Sequence, residues 1–194
     1  MPESLILIGA STGGPGHINK ILQGLPANFL SSIIIAQHMS PLFIPSFIKQ
    51  LATLTSYPVV EAKDGMSVKS ACVYVCSGEC RLSEREGTLY IESSDSAQSL
   101  YTPNIDALFL SAAQLPKQLR RMGVILTGIG DDGAKGTKKF YQAGGYCLFE
   151  SEESSIVYGM PRSAVEQVPE AEVGSLEQII EKIIRFGVGN AGMV

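Results

Sequence analysis

The chain has 194 residues, of which 45% are hydrophobic and 18% charged, with a formal net charge of −4. That length supports one domain with a sizeable core, and that balance excludes a disordered chain. The charge is mild and free of long single-sign blocks, which gives no footing for nucleic acid or an acidic membrane surface.

In chain order, the first element is an apolar strand, Leu5–Gly9, running into a G-x-S-x-G turn from Gly9 to Gly13 and helical sequence over Pro15–Gly24. This arrangement lifts the Ser11 hydroxyl onto a sharp strand-to-helix turn, where it can act as a nucleophile. The glycines let a substrate approach the backbone, and free N–H groups at the helix start can stabilise an oxyanion. A second apolar strand, Ser32–Gln37, ends at His38, and a helix is predicted over Pro41–Leu54. Continuous runs such as Ile33-Ile34-Ile35-Ala36 suit strands buried on both faces. His38 and Ser11 therefore share the C-terminal edge of an open sheet, where such folds bind ligands. His17 falls inside the first helix and reads as an ordinary helix residue.

From Cys72 to Glu92 the pattern shortens to three strands, Cys72–Cys76, Arg81–Arg85 and Thr88–Glu92, joined by Ser77-Gly78 and Glu86-Gly87 turns. This predicts an antiparallel excursion. Cys72, Cys76 and Cys80 repeat every four residues, too widely for the tight pairs zinc prefers, and read as buried thiols rather than metal ligands. Ser93–Ser99 is a polar loop, and Asn104–Gln114 a helix.

A third buried-type strand, Gly123–Thr127, enters the turn Gly128-Ile129-Gly130-Asp131-Asp132-Gly133 and a helix over Ala134–Ala143. One of the two aspartates can orient an imidazole as the acid of a triad, while either can cap the helix. The turn also matches G-x-G-x-x-G, with Glu150 near the spacing of a ribose-binding acid, so a nucleotide-binding oxidoreductase is the rival reading. Asp131 and Asp132 weaken it, because two carboxylates repel a pyrophosphate. A strand at Tyr146–Glu150 and a capped amphipathic helix at Leu176–Phe186 complete the chain. The alternation predicts an α/β fold: a doubly wound, mostly parallel sheet flanked by helices in three layers, with an antiparallel hairpin excursion.

Ser11, His38 and Asp132, with the segments Ile8–Gly14, Ala36–Met39, Leu126–Ala134 and Val157–Arg162, resemble the catalytic domain of the chemotaxis protein-glutamate methylesterases. Val60–Gly65 and Asn104–Phe109 extend the likeness, so it spans nearly the whole chain in the family's order. The resemblance implies a Ser11–His38–Asp132 triad, with backbone N–H groups of Thr12 and Ile129 as oxyanion donors. It implies hydrolysis of glutamyl methyl esters on the helical cytoplasmic region of chemoreceptors, with glutamine deamidation at the same sites. No metal or organic cofactor is required. Departures are Ile129, where the family commonly has methionine, and the hairpin residues Cys76–Arg81. Residues 1–194 are expected to form a single catalytic domain with no N-terminal receiver domain, monomeric and cytoplasmic. No segment of signal-peptide or transmembrane character is present, so no membrane insertion is expected. A receptor-binding module without turnover is the remaining alternative.

Overall fold

The computed structural model describes residues 2–94 and 100–188. Its elements are β1 (Ser4–Ala10), α1 (Gly14–Gln23), β2 (Ser32–Gln37), α2 (Ile44–Ala52), β3 (Val59–Glu61), β4 (Val73–Val75), β5 (Glu79–Arg85), β6 (Thr88–Ser94), α3 (Ile105–Ala113), β7 (Arg120–Ile125), α4 (Ala134–Gln142), β8 (Tyr146–Glu150), α5 (Met160–Gln167), β9 (Glu172–Gly174) and α6 (Leu176–Gly187). Among the described residues, seven strands form one parallel sheet in the order β3-β4-β2-β1-β7-β8-β9, and β5 and β6 form a separate antiparallel pair. Most of the predicted loop at Ser93–Ser99 lies outside the described residues. No described helix is long and apolar enough to cross a membrane.

β1 sits at the centre and is buried along its whole length. Its side chains alternate by the strand's period of two: Leu5 and Leu7 join one core cluster, Ile6, Ile8 and Ala10 the other. The first cluster is closed by α3, α4, α5 and the β5–β6 hairpin, the second by α1, α2 and α6. Each fully buried leucine or isoleucine contributes about 2 kcal/mol against chain entropy. The three predicted layers are present. Gly123 in β7 leaves room for the edge-to-face pair Phe109–Phe140, since a Cβ there would lie 2.6 Å from Phe109.

From β1 the chain winds outward through β2 to the β3–β4 side, then returns to β7 and winds the other way. The crevice at the C-terminal ends of β1 and β7 is therefore the topological switch point, where open α/β sheets bind ligands.

Two expectations are corrected. Cys72–Cys76 is not part of the antiparallel excursion: β4 pairs in parallel with β2 and β3. Its three residues are buried throughout, so they belong between strands, and the excursion begins only after the Ser77-Gly78 turn. That hairpin closes through Glu86 and Gly87, both at positive φ (50° and 77°), as a tight turn between twisted strands requires. The helix predicted over Pro41–Leu54 is divided into a 3-10 turn, Pro41–Phe43, and α2, with Pro45 in the first turn of α2, where its missing N–H is harmless. The short elements β3, β9 and α5 carried too little periodicity to be predicted.

Candidate active site

The turn after β1 is tied to the turn after β7. The Ser11 N–H donates to the Thr127 carbonyl at 3.0 Å, and the Ser11 carbonyl accepts from Gly14 N–H at 2.8 Å. The Thr127 hydroxyl donates to the Thr12 carbonyl at 2.8 Å and accepts from the Val157 N–H at 2.9 Å. Gly13 is left-handed (φ 84°), the conformation that needs glycine here. Gly128 is required by contact: a Cβ on it would lie 2.7 Å from Ser11 Cβ and 2.5 Å from Met160 Sδ. The two glycine-rich turns thus pass directly against each other at the switch point. Among the described residues, the N–H groups of Thr12 and Ile129 donate to no protein acceptor, so both remain open to a ligand. Ile129 is 62% exposed, so the position of its N–H does not depend on how its side chain packs.

His38 continues the pairing of β2 with β1, its N–H donating to the Ala10 carbonyl at 2.9 Å. That register sets it beside Ser11. Its Nε2 lies 2.7 Å from Asp132 Oδ2. A carboxylate only accepts, so in the neutral imidazole Nε2 carries the proton and Nδ1 is the acceptor. The ring is stacked on Tyr101, with centroids 5.0 Å apart and planes 4° from parallel. Among the described residues no hydrogen bond joins Ser11 Oγ to the imidazole. In unliganded sites such contacts are commonly long and tighten when substrate arrives.

Asp132 is 3% exposed, and both of its oxygens are hydrogen-bonded. Oδ2 also accepts from the Ile105 N–H and Oδ1 from the Asp106 N–H, both at 2.9 Å. These are the first two N–H groups of α3, at the positive end of its dipole. The helix capping and the contact with the imidazole, expected of two different aspartates, both fall on Asp132, and the helix it caps is α3, not the one that follows it. α4 has Gly133 as its N-cap and no side-chain cap. Asp131 is exposed and accepts from the Tyr101 hydroxyl at 3.3 Å.

Glu150 is fully buried. It accepts from the Thr127 N–H and the Ser154 hydroxyl, both at 2.8 Å, and lies 3.0 Å from His17 Nδ1. It props the β7 turn from behind and cannot reach a ribose, which removes the residue on which the nucleotide reading leaned. His17 is correspondingly no ordinary helix residue but the buried partner of Glu150. The signal for its burial is its place on the face of α1 that carries Ile18, Ile21 and Leu22; nothing in the sequence names an acid 133 residues away. Cys72, Cys76 and the hairpin residue Cys80 are buried in the same core cluster, and burial pushes the Cys147 thiol up to about 12.

The family model described as CheB methylesterase matches residues 6–183. A protein-glutamate methylesterase/protein-glutamine glutaminase 2 of Carboxydothermus hydrogenoformans is 37% identical over 189 residues, 95% of this chain and 53% of that protein. A protein-glutamate methylesterase/protein-glutamine glutaminase of Pectobacterium atrosepticum is 40% identical over 185 residues, covering 94% and 52%. The crystal structure of the Thermotoga maritima CheB methylesterase catalytic domain is similar with a TM-score of 0.88 at 34% identity, covering 95% of this chain and 99% of that one. The chain spans about half the length of the curated relatives it matches. It belongs to the CheB methylesterase family.

Proposed function

We propose that residues 1–194 form a serine esterase domain that hydrolyses glutamyl methyl esters on the helical cytoplasmic region of chemoreceptors, releasing methanol. The observation that carries this reading is the His38–Asp132 contact at 2.7 Å, with the carboxylate held by two backbone N–H groups beside the Ser11 turn. The names of the relatives support the substrate class.

In this mechanism Ser11 Oγ attacks the ester carbonyl while His38 Nδ1 takes its proton. The ring becomes an imidazolium, and the buried Asp132 charge answers it across the Nε2 bond. The Thr12 and Ile129 N–H groups receive the developing oxyanion; each such donor is worth roughly 3 kcal/mol in comparable sites. Collapse of the tetrahedral intermediate expels methoxide, protonated by His38, as methanol. A water then attacks the acyl-enzyme, with His38 as base again, and regenerates Ser11. A glutamine amide follows the same path with ammonia as the leaving group, so the site is suited to deamidation as well.

The test is methanol release from methylated chemoreceptor membranes by the native protein and by Ser11→Ala. Release that vanishes in the variant supports the assignment. Release that persists in it, or none from the folded native protein, refutes the serine-esterase reading.

A further inference from the structure

We infer that Gln37 is a positioning residue of this site, clamping the nucleophile and its base together; the inference rests on the serine-esterase reading above. Gln37 ends β2, one residue before His38, and is 2% exposed. Its side chain crosses from β2 to the turn after β1. There Nε2 donates to the Ser11 carbonyl at 2.9 Å and to the His38 carbonyl at 3.0 Å. Both amide protons are spent on the backbones of the two residues that must exchange a proton, and no other described side chain bridges them.

The other half of the carboxamide argues against a mere space-filler. Gln37 Oε1 is buried with no hydrogen-bond partner. An apolar side chain of the same length would fill the position without stranding a carbonyl oxygen away from water. The retained penalty points to the two bonds made by Nε2. The surroundings are shaped for this group as well: a Cβ on Gly14 would lie 2.0 Å from Oε1 and 2.7 Å from the Ala10 Cβ. Gly14 is not at positive φ, so the backbone there does not itself demand glycine; the packed carboxamide and Ala10 do.

Ser11 has its N–H held by Thr127 and its carbonyl held by Gly14 and Gln37. Of these, only Gln37 also holds His38. Loss of the clamp leaves each residue on its own strand end but releases their relative placement. A displacement of about 1 Å between reacting groups is enough to lose a factor of about 100 in rate.

The test uses the full chain, a small fluorophosphonate that needs no receptor docking, and methanol release from methylated receptor membranes. Gln37→Met removes both donors at constant length; Gln37→Glu keeps the shape and sets acceptors against the two carbonyls. The expected result is labelling of Ser11 slowed about 10- to 100-fold, kcat lowered by a similar factor, and KM within about twofold of the wild type. Labelling of either folded variant within threefold of wild type overturns the inference, as does a rise in KM with kcat unchanged. Failure of both variants to fold also overturns it, by making Gln37 a structural residue. A wild-type protein that is not labelled at Ser11 instead refutes the serine-esterase reading itself, so the two failures are told apart.

Discussion

Asp132→Asn separates the chemistry of the site from its stability. The carboxylate receives three N–H groups, those of His38 Nε2 and Ile105 on Oδ2 and that of Asp106 on Oδ1. An amide has one oxygen to offer. If that oxygen takes the Oδ2 place, the NH2 confronts the Asp106 N–H, leaving one buried donor unmet at about 1–3 kcal/mol. If the NH2 takes the Oδ2 place, it faces both the Ile105 N–H and His38. The ring must then shift its proton to Nδ1, the atom that accepts from Ser11 in the proposed mechanism. Either way the imidazolium formed during attack loses the negative charge 2.7 Å from it. The acylation rate should fall about 10³- to 10⁴-fold, equivalent to about 4–5.5 kcal/mol of barrier.

Asp132→Ala sharpens the comparison. It leaves the Ile105 and Asp106 N–H groups without an acceptor in a site 3% exposed, which costs about 2–6 kcal/mol of stability, about 1–3 for each donor. The assay is labelling of Ser11 by a small fluorophosphonate together with urea unfolding of the wild type and both variants. The Asn variant should be nearly as inactive as the Ala variant yet clearly more stable. An Asn variant keeping more than one-tenth of the wild-type labelling rate would show that Asp132 only caps α3, and would refute the argument.

Other substitutions follow from contacts elsewhere. Gly128→Ala brings a Cβ to 2.7 Å from Ser11 Cβ and 2.5 Å from Met160 Sδ, and should lower kcat by about 10- to 100-fold in steady-state methanol release. Arg121, 5% exposed, donates to the carbonyls of Ala112, Leu115 and Ala143 at 2.7, 3.2 and 3.0 Å. It therefore gathers the ends of α3 and α4, and Arg121→Ala should lose about 3 kcal/mol or more by urea unfolding with fluorophosphonate labelling retained at low denaturant. Burial raises the Asp106 pKa, the Gly136 N–H at 2.6 Å opposes this, and the Asp132 charge adds to it. Because the folded value lies above the unfolded one, this carboxyl detracts from stability as pH rises through its folded range. Asp106→Asn should accordingly be more stable than wild type at neutral pH, with the advantage shrinking in acid; an advantage that grows in acid would refute the sign.

The residues that end strands were legible because a strand's apolar run and its terminating turn are both local. Ser11 and His38 stand one residue beyond β1 and β2, so the pattern placed them on one edge. Asp132 was legible as part of a strand-turn-helix pattern, but its second role was not. Its N–H partners, Ile105 and Asp106, lie 27 and 26 residues earlier, and only the packing of α3 against α4 brings them together. The same holds for His17 and Glu150, and for Gln37, whose sequence reading was simply the last residue of a buried strand. The direction of β4 is not legible, because three residues carry none, and a parallel or antiparallel partner is chosen by the strands already in the sheet.

The order of the site residues along the chain follows from the sheet. β2, β1 and β7 are adjacent, so His38 and Ser11 are set roughly one inter-strand spacing apart, about 4.8 Å. The acid cannot be supplied at the same level by β7, because the Thr127-Gly128 turn is already spent against Ser11 and Thr12. Asp132 stands seven residues beyond the last residue of β7, and a loop that long has no inherent rigidity. What makes it rigid is the N-terminus of α3: Asn104 Oδ1 serves the Ala107 N–H at 2.9 Å, and Asp132 serves the two before it. The helix needs acceptors at that end whether or not a reaction occurs, so the carboxyl group is fixed in place before any substrate arrives. On the proposed mechanism, orienting the imidazole then requires no further ordering of the loop, so a site assembled from three separate turns meets the precision that proton transfer demands.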